Sequence, residues 1–291
     1  MSSLIEYAYA KLNISLDVTG KMDDGYHSML MVMQSASLCD DVKICITKGT
    51  GTVSVNTDKA FLPRDEKNLA GVAVKAFMQR TGITGWDTDV SIIKRIPVCA
   101  GLGGGSSNVA AVLRGLNVLF AAGMTQDELE DIGKAIGSDV PYCIAGGTRL
   151  AQRRGELLCD LAPLPKCYAV ICKPSFSVST PELFSKLDVK KIKCRPDTDG
   201  IVAALRAGDI KGVGRRMYNI FEDVLPKGKE YVEHIKGVLY DNNAVGAVMS
   251  GTGSAVFGLF TEKDRAQNAC EQLSRSYREC FLAETIEKLE I

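Results

Sequence analysis

The stretch PVCAGLGGGSSN, residues 97–108, lies between an apolar segment over residues 90–96 and a helical apolar stripe that begins at Val109. Glycines let a backbone approach an anion closely and adopt positive φ angles. The first turn of the following helix offers unpaired N–H groups and a partial positive charge. Ser106 and Ser107 add hydroxyls there. A strand, this loop and a helix in that order favour a phosphate site over the alternative, a flexible surface loop.

The common motifs do not say which kind of phosphate site this is. A Walker A loop requires Gly-Lys-Ser or Gly-Lys-Thr, and the chain contains neither tripeptide. The dinucleotide fingerprint requires a glycine at the position of Ser106 and is expected earlier in a chain. The His-Arg-Asp and Asp-Phe-Gly signatures of protein kinases are also absent. The loop by itself therefore predicts phosphate binding and no particular enzyme class.

Composition excludes several classes of protein. Lys and Arg together number 35, as do Asp and Glu, so the basic excess of a nucleic-acid-binding protein is missing. The short basic runs at residues 153–154 and 190–193 are expected to be solvated surface. No segment approaches eighteen uncharged apolar residues, and no signal or transit peptide is evident at the N-terminus. We expect a cytoplasmic protein that binds neither nucleic acid nor membrane.

The ten cysteines include no Cys-x-x-Cys pair, and the chain has two histidines, His27 and His234. Several of the cysteines lie in apolar runs, where a free thiol acts as a small hydrophobic side chain. We therefore expect reduced, structural cysteines, with a structural zinc site as the minor alternative.

Alternation with a period of two predicts strands in the first fifty residues. Residues 8–18 are expected to form a strand with one buried face, so Lys11 and Asn13 project from the same polar face. Residues 42–47 alternate similarly, and we expect them to pair with residues 53–55 across a glycine-rich turn.

Helix signals flank the glycine-rich loop on both sides. Asn68 is the expected N-cap of a helix that ends at Gly82, and Thr125 with Glu128 forms the capping box of another. Beyond about residue 150 the pattern changes, and residues 161–165 resemble a connection. A chain of 291 residues exceeds the usual size of one domain, so we expect mixed α and β elements in two lobes.

Two short polar segments complete the pattern. Residues 137–141, GSDVP, place the Asp139 carboxylate in a turn, where it is either a base or an ordinary N-cap. Residues 250–254, SGTGS, form a second glycine-rich turn between two apolar strands, with a simple hairpin as the alternative. Neither segment decides between its two interpretations.

Taken together, these segments resemble the GHMP kinases, named for galacto-, homoserine, mevalonate and phosphomevalonate kinases. Residues 97–107 resemble the phosphate loop of that family and residues 250–253 resemble its third motif. A narrower resemblance links residues 8–13, AYAKLN, 24–27, DGYH, and 137–141 to the GHMP kinases that act on a CDP-linked methylerythritol. The segments occur in the family's order along nearly the whole chain.

The resemblance implies an α+β, two-domain GHMP kinase fold. Residues 1–158 would form a ribosomal-protein-S5-domain-2-like N-terminal domain that binds ATP, and residues 159–291 a C-terminal α/β sandwich domain on the substrate side. It also implies Mg²⁺- and ATP-dependent phosphorylation of the 2-hydroxyl of a methylerythritol that carries a CDP group, in non-mevalonate isoprenoid biosynthesis. We expect a monomer or a weak homodimer.

The resemblance also assigns roles to individual residues. Asp139 would be the general base, and Lys11 would lie near the substrate hydroxyl and the transferred phosphoryl group, its alternative being a solvated strand lysine. Phosphoryl transfer depends on positioning and charge stabilisation, which such a pair can supply. The implied ATP-binding residues are Asn68 (which competes as an N-cap), Pro97, Gly101, Leu102, Gly103, Gly104, Gly105, Ser106 and Ser107.

For the acceptor, the resemblance implies that Tyr26 and Phe184 stack on the cytosine while His27 reads its edge, unless His27 only caps a turn. Ser107 is the candidate Mg²⁺ ligand, with no acidic ligand evident. The remaining implied substrate contacts are Asn13, Thr180, Gly251, Thr252 and Gly253.

Two residues depart from the family pattern beside the phosphates. Cys99 stands where a glycine or another small residue is common, and Asn108 replaces a frequent aspartate. Acceptors such as homoserine or mevalonate, and a ligand-sensing protein without catalysis, stay open as alternatives. The aromatic residues Tyr26 and Phe184 favour the CDP-linked acceptor over the other alcohols.

Overall fold

The computed structural model describes residues 1–23, 25–64, 67–189, 192 and 194–289. Asp24 of the DGYH segment and the three lysines of the basic run at residues 190–193 lie outside the described residues.

Within the described residues, eleven strands form one continuous sheet. They are β1 Ser2–Lys21, β2 His27–Lys48, β3 Val53–Thr57, β4 Trp86–Ile93, β5 Thr148–Arg153, β6 Leu157–Asp160, β7 Tyr168–Lys173, β8 Tyr218–Asn219, β9 Gly246–Met249, β10 Val256–Phe260 and β11 Glu279–Ile286. The main order is β3-β4-β2-β11-β7-β10-β9, while β1 and β5 also pair with β2, β6 pairs with β5 and β8 pairs with β1.

Helices pack on this sheet in both halves of the chain. They are α1 Leu69–Thr81, α2 Gly104–Leu119, α3 Gln126–Ile136, α4 Val140–Ala145, α5 Thr180–Lys186, α6 Thr198–Arg206, α7 Ile210–Gly214, α8 Lys229–Asp241 and α9 Lys263–Ser274, with a 3-10 helix at Ile220–Val224. None of the described helices combines the length and the apolar character that crossing a membrane requires.

The sequence predicted two lobes. The elements β1 to β6 with α1 to α4 are called the first lobe below, and β7 to β11 with α5 to α9 the second. Strand β11 links them, because Glu279–Glu284 pair with β7 while Thr285 and Ile286 pair with Ala36 and Ser35 of β2. The domain boundary after residue 158 stays a prediction; β6 crosses it and pairs with β5 up to Asp160.

Local sequence signals set the helix ends correctly. The Asn68 side chain accepts the N–H of Ala70 at the start of α1, and Gly82 ends that helix with a left-handed φ of 69°. Thr125 and Glu128 form the predicted reciprocal capping box of α3. These signals depend on residues within one helical turn, so they do not require the rest of the fold.

Two strand predictions were wrong. Residues 53–57 do not pair back onto residues 42–47, because β4 occupies that edge of β2 and β3 runs parallel to β4. The predicted single buried face of β1 is also wrong, since Lys11 and Asn13 are as buried as the apolar residues beside them.

Strand β1 serves two cores because β-bulges interrupt its pairing with β2. The register shifts between Tyr9 and Ala10 and again between Asn13 and Ser15. Residues N-terminal and C-terminal to this segment, such as Ala8 and Leu16, pack into one buried cluster, whereas Leu12 between the bulges packs into the other. A bulge turns the side chains that follow it to the other face, and here it aims Lys11 into the cleft between the lobes.

Candidate active site

Two cavities meet at the glycine-rich loop. The larger, of about 840 Å³, is lined by Lys11 and Asp139 and by aromatic residues at its other end. The smaller, of about 360 Å³, is lined by the loop itself and by Asn68 and Pro97. Gly101 and Gly103 line both cavities, so the loop forms the wall between them.

The loop needs glycine where it approaches its neighbours. Gly101 and Gly103 have φ angles of 75° and 70°, in the left-handed region that favours glycine. A Cβ on Gly101 would overlap the Ser250 carbonyl, and one on Gly103 would lie 2.8 Å from Cγ of Lys11. Gly103 is the N-cap of α2 without a side-chain cap, so the first N–H groups of α2 are available to an anion.

The smaller cavity collects the residues predicted to bind ATP, with one exception. Its lining contains Asn68, Pro97, Gly101, Leu102, Gly103, Gly104, Gly105 and Ser106. Ser107 is not part of it: the side chain is 1% exposed, and its hydroxyl donates to the Tyr9 carbonyl at 2.6 Å. In this arrangement the hydroxyl is directed into the protein, and the orientation gives no support to Ser107 as a magnesium ligand.

The side chain of Asn68 performs its capping role within this wall. Its oxygen accepts the Ala70 N–H at 3.0 Å, and its amide donates to the Pro63 carbonyl at 2.8 Å. The adenine contact assigned to Asn68 stays a prediction.

The two departures from the family pattern have different surroundings. Cys99 is exposed and has a positive φ of 54°. Asn108 is buried, donates to Asp40 at 2.8 Å and accepts from Lys94 at 3.1 Å. Asp40 also pairs with the Lys94 ammonium and accepts the Arg95 N–H at 2.7 Å. This buried network fixes the chain just before the loop.

Lys11 and Asp139 face each other at the end of the larger cavity. The Lys11 ammonium lies 3.9 Å from a carboxylate oxygen of Asp139 and donates to Oδ1 of Asn13 at 2.5 Å. Lys11 is 5% exposed, so it is not a solvated strand lysine. Asp139 occupies the N-cap position of α4 but makes no capping hydrogen bond, which leaves its carboxylate open to the cavity.

The second glycine-rich turn docks on the first. The Ser250 hydroxyl donates to the Gly101 carbonyl at 2.9 Å and accepts the Asn13 N–H at 3.2 Å. The Asn219 amide holds the turn from behind by donating to the carbonyls of Met249 and Gly251, each at 2.7 Å. The turn therefore joins the two lobes at the site and is more than a simple hairpin.

The predicted acceptor-binding residues do not all reach the larger cavity. Gly251 and Thr252 line it, and the Thr252 hydroxyl lies 3.0 Å from that of Thr180, which lines it too. Gly253 is not part of the lining; the space where its Cβ would lie is filled by Met249. Asn13 is fully buried behind Lys11, so it positions that lysine.

Three aromatic side chains, Tyr26, His27 and Phe184, line this cavity. His27 stacks on Phe184, with 4.6 Å between ring centres and 25° between planes. Phe184 is in turn held edge-on by Phe221 at 5.0 Å. Burial, and then the charge of Lys21, lowers the pKa of His27 below its usual value, which favours the neutral ring.

Sequence reasoning missed several cations at the site. Arg154, expected to be solvated surface, lines the larger cavity, and its guanidinium lies 4.8 Å from the centre of the Tyr26 ring. Lys134 lines the same cavity and Lys94 lines the smaller one. A single lysine in a strand or helix carries no signal of its own. The adjacent Arg153 and Arg154 were interpreted as a solvated basic run. Charge alone does not show that Arg153, at the end of β5, is exposed while Arg154 lines a cavity.

A magnesium ion fits the donor set without a cluster of acidic ligands. Among the described residues, no group of three or more His, Cys, Asp or Glu side chains is placed to hold a metal ion. Magnesium in kinases is bound by one or two protein oxygens together with substrate phosphates and water. The Asp139 carboxylate and the Ser106 hydroxyl border the two cavities and supply oxygens of that kind.

A glycine loop at a helix N-terminus, next to a lysine–aspartate pair, is the site of a small-molecule kinase. Residues 68–147 match the family of the GHMP kinases N terminal domain, and residues 201–279 match that of the GHMP kinases C terminal. The 4-diphosphocytidyl-2-C-methyl-D-erythritol kinase of Alkaliphilus metalliredigens is 39% identical, over 95% of this chain and 94% of its own. That of Acetivibrio thermocellus is 41% identical, over 98% and 100%.

A crystal structure of 4-(cytidine 5'-diphospho)-2C-methyl-D-erythritol kinase is also similar. It has a TM-score of 0.79 and 28% sequence identity, over 97% of this chain and 99% of that chain. The chain therefore belongs to the GHMP kinases, and within them to the family of the 4-diphosphocytidyl-2-C-methyl-D-erythritol kinases. The predicted two-domain GHMP kinase fold is confirmed.

Proposed function

We propose that this protein transfers the γ-phosphoryl group of ATP to the 2-hydroxyl of 4-diphosphocytidyl-2-C-methyl-D-erythritol, in the methylerythritol phosphate pathway to isoprenoids. One observation carries the proposal. The glycine loop separates a cavity that suits a nucleotide from one that holds the lysine–aspartate pair, and Gly101 and Gly103 face both. A phosphoryl group held by the loop thus has an acceptor site directly on its other side.

The chain's own residues account for the chemistry. The N–H groups at the start of α2 hold the phosphates, while Asp139 accepts the proton of the acceptor hydroxyl. Lys11, fixed by Asn13, offsets negative charge on the group in transfer. Magnesium, held by phosphate oxygens with Asp139 and Ser106, would neutralise charge on the phosphates.

The aromatic end of the larger cavity suits a cytosine. Tyr26 and Phe184 offer π-faces for stacking, which every base satisfies, so selection rests on hydrogen bonds. His27 beside them is the group that can read the edge of the base, because its neutral ring carries one donor and one acceptor. The bound base would replace His27 on the face of Phe184 or stack on Tyr26 opposite.

ADP release in the presence of ATP and Mg²⁺ tests this function. The acceptors compared are CDP-methylerythritol, homoserine, mevalonate and none. Turnover with the CDP compound alone supports the proposal. Turnover with another alcohol would retain the kinase and remove the cytosine site, and ATP binding without turnover on any acceptor would contradict catalysis altogether.

A further inference from the structure

Side chains cap the free edge of strand β9. This strand ends the main strand order, and within the described residues it pairs with β10 alone. The Ala247 N–H donates to the Tyr240 hydroxyl at 3.1 Å. The Met249 N–H donates to the Glu222 carboxylate at 2.7 Å, and the Met249 carbonyl accepts from the Asn219 amide at 2.7 Å. These side chains bind backbone groups that a further strand would otherwise bind.

Asn219 and Glu222 hold the end of β9 where the second glycine-rich turn begins. Asn219 immediately precedes the 3-10 helix Ile220–Val224, and Glu222 lies within it. Asn219 is fully buried; its oxygen accepts the Phe221 N–H at 3.0 Å, while its amide also donates to the Gly251 carbonyl at 2.7 Å. One N–H and two carbonyls as partners therefore fix which end of the side chain is the amide.

The Glu222 carboxylate has two different partners. One oxygen accepts the Met249 N–H, and the other pairs with Lys236 of α8 at 2.7 Å. The side chain is partly buried, and neither it nor Asn219 belongs to the lining of the two cavities at the glycine-rich loop. Both residues therefore reach the site through the turn that they hold, without touching a ligand there.

This turn contacts both Lys11 and the glycine-rich loop. The Ser250 hydroxyl bonds to the Asn13 N–H and to the Gly101 carbonyl. Gly251 lies so close to Lys11 that a Cβ on it would be 3.0 Å from the ammonium nitrogen. A displacement of the turn therefore displaces the ammonium relative to the loop.

We propose that Asn219 and Glu222 are positioning residues for phosphoryl transfer, because they fix the turn that sets the place of the Lys11 ammonium. The inference rests on the proposed function, in which Lys11 offsets charge on the group in transfer. Phosphoryl transfer depends on positioning, and a displacement of about 1 Å can lower its rate by about 10²-fold. ATP binding depends less on the turn, since the buried network at Asp40 holds the chain on both sides of the glycine-rich loop.

Asn219→Asp tests this with almost no change in shape. It places a carboxylate oxygen against the two carbonyls that the amide donates to, so the turn is displaced. We expect kcat for the CDP acceptor to fall roughly 10- to 100-fold, while KM for ATP stays within about three-fold.

The matched control is Asn242→Asp, which makes the same change at another buried amide. The Asn242 amide donates to the Val238 carbonyl at 2.9 Å and to the Gln272 side chain at 3.0 Å, and it lines neither cavity. This variant should lose a similar amount of stability in urea unfolding and retain wild-type kcat.

Glu222 provides a second, milder pair of variants. Glu222→Gln keeps an oxygen that accepts the Met249 N–H, so kcat should stay within about three-fold of the wild type. Glu222→Ala removes the acceptor, and kcat should fall about 10-fold. Recovery by the conservative variant would show that the hydrogen bond to the turn matters, and not the charge.

Hydrogen exchange followed by mass spectrometry gives a readout without turnover. The amides of residues 246–252 should exchange faster in Asn219→Asp and Glu222→Ala than in the wild type or Asn242→Asp. Equal losses of kcat in Asn219→Asp and Asn242→Asp would show a general effect of stability and overturn the proposal, as would faster exchange with an unchanged kcat. A wild type that phosphorylates no acceptor would refute the proposed function and this inference with it, whereas wild-type turnover with an unaffected Asn219→Asp would overturn the inference alone.

Discussion

Asp139 occupies an N-cap position without performing the cap, and its free carboxylate faces Lys11. If it accepts the proton of the acceptor hydroxyl, Asp139→Asn should lower kcat by about 10²- to 10⁴-fold, the usual contribution of a general base. The affinity for ATP in the absence of Mg²⁺ should stay unchanged, since the smaller cavity does not include this residue. Steady-state turnover and calorimetric ATP binding measure the two effects.

Asp127→Asn makes the same chemical change on an exposed residue of α3 and is the matched control. It should retain wild-type turnover. Wild-type turnover in Asp139→Asn itself would contradict the assignment of the base.

His27 predicts a pH dependence of cytosine binding. Its pKa is lowered by burial first and by Lys21 second, so the ring stays neutral below the usual value of about 6.5. The neutral ring has an unprotonated nitrogen that can accept from the amino group of cytosine, whereas the protonated ring has two donors and no acceptor. Affinity for cytidine should be constant from about pH 8 to 7 and fall only as the pH drops through the lowered pKa.

Calorimetry with cytidine checks this, because cytidine carries no phosphate that titrates. His27→Gln keeps one donor and one acceptor without a titration, so its cytidine affinity should be flat over the same range. An equal fall at low pH in both proteins would show that another group is responsible.

The position of a single side chain could be predicted from the sequence where its neighbours in the chain determine that position. Alternation correctly placed Lys11 and Asn13 on one face of a strand. The burial of that face comes from residues distant in sequence, such as Gly103 and Ser250, and could not be predicted from alternation. Ser107 looked like its neighbour Ser106, but the helical turn directs the two hydroxyls to different sides. The contact of Arg154 with Tyr26 joins residues far apart in sequence, so the sequence alone did not indicate it.

At the scale of elements, the glycine loop and the turn at Ser250 stabilise each other by direct contact. Gly101→Ala should lower the free energy of unfolding by about 2 to 4 kcal/mol, because the left-handed φ and the clash with the Ser250 carbonyl both oppose a methyl group. Urea unfolding measures this loss.

Gly105→Ala is the matched control in the same segment. It lies inside α2, and its Cβ would meet Leu69 at an ordinary 3.4 Å. Since alanine favours a helix over glycine by about 1 kcal/mol, stability should stay level or rise. Equal losses in the two variants would contradict the claim that the docking of the loops, and not the glycine content, sets stability here.

Helix ends were more predictable from the sequence than strand pairing, because the residues that cap a helix are close to it in the chain. The caps of α1 and α3 lie within one turn of the residues they serve, so sequence reveals them. Strand β3 does not pair with β2 because β4, which lies well beyond β3 in the chain, pairs with that edge of β2. The bulges of β1 likewise depend on the register of β2, and alternation alone cannot show them.

At the scale of the whole molecule, several contacts join the lobes, among them the pairing of β1 with β8. Strand β11 pairs with β7 on one side and β2 on the other, and Ser250 bonds to the glycine loop. The Ala255 N–H also donates to the Ala100 carbonyl at 3.1 Å. Because the site is assembled at these crossings, a change that separates the lobes removes catalysis and stability together.

Such coupling predicts that both lobes unfold in a single transition. Trp86 is the only tryptophan of the chain, and it lies on β4 of the first lobe with its ring edge-on to Phe120 at 5.5 Å. Its fluorescence reports that lobe alone, while far-UV circular dichroism reports the helices and strands of both. The two urea midpoints should coincide, as in a two-state protein. In Ser250→Ala, which loses the bond to the Gly101 carbonyl, both should fall together. Separate midpoints, or a shift in one signal alone, would show that the lobes fold as independent units. The contacts between them would then contribute little to stability.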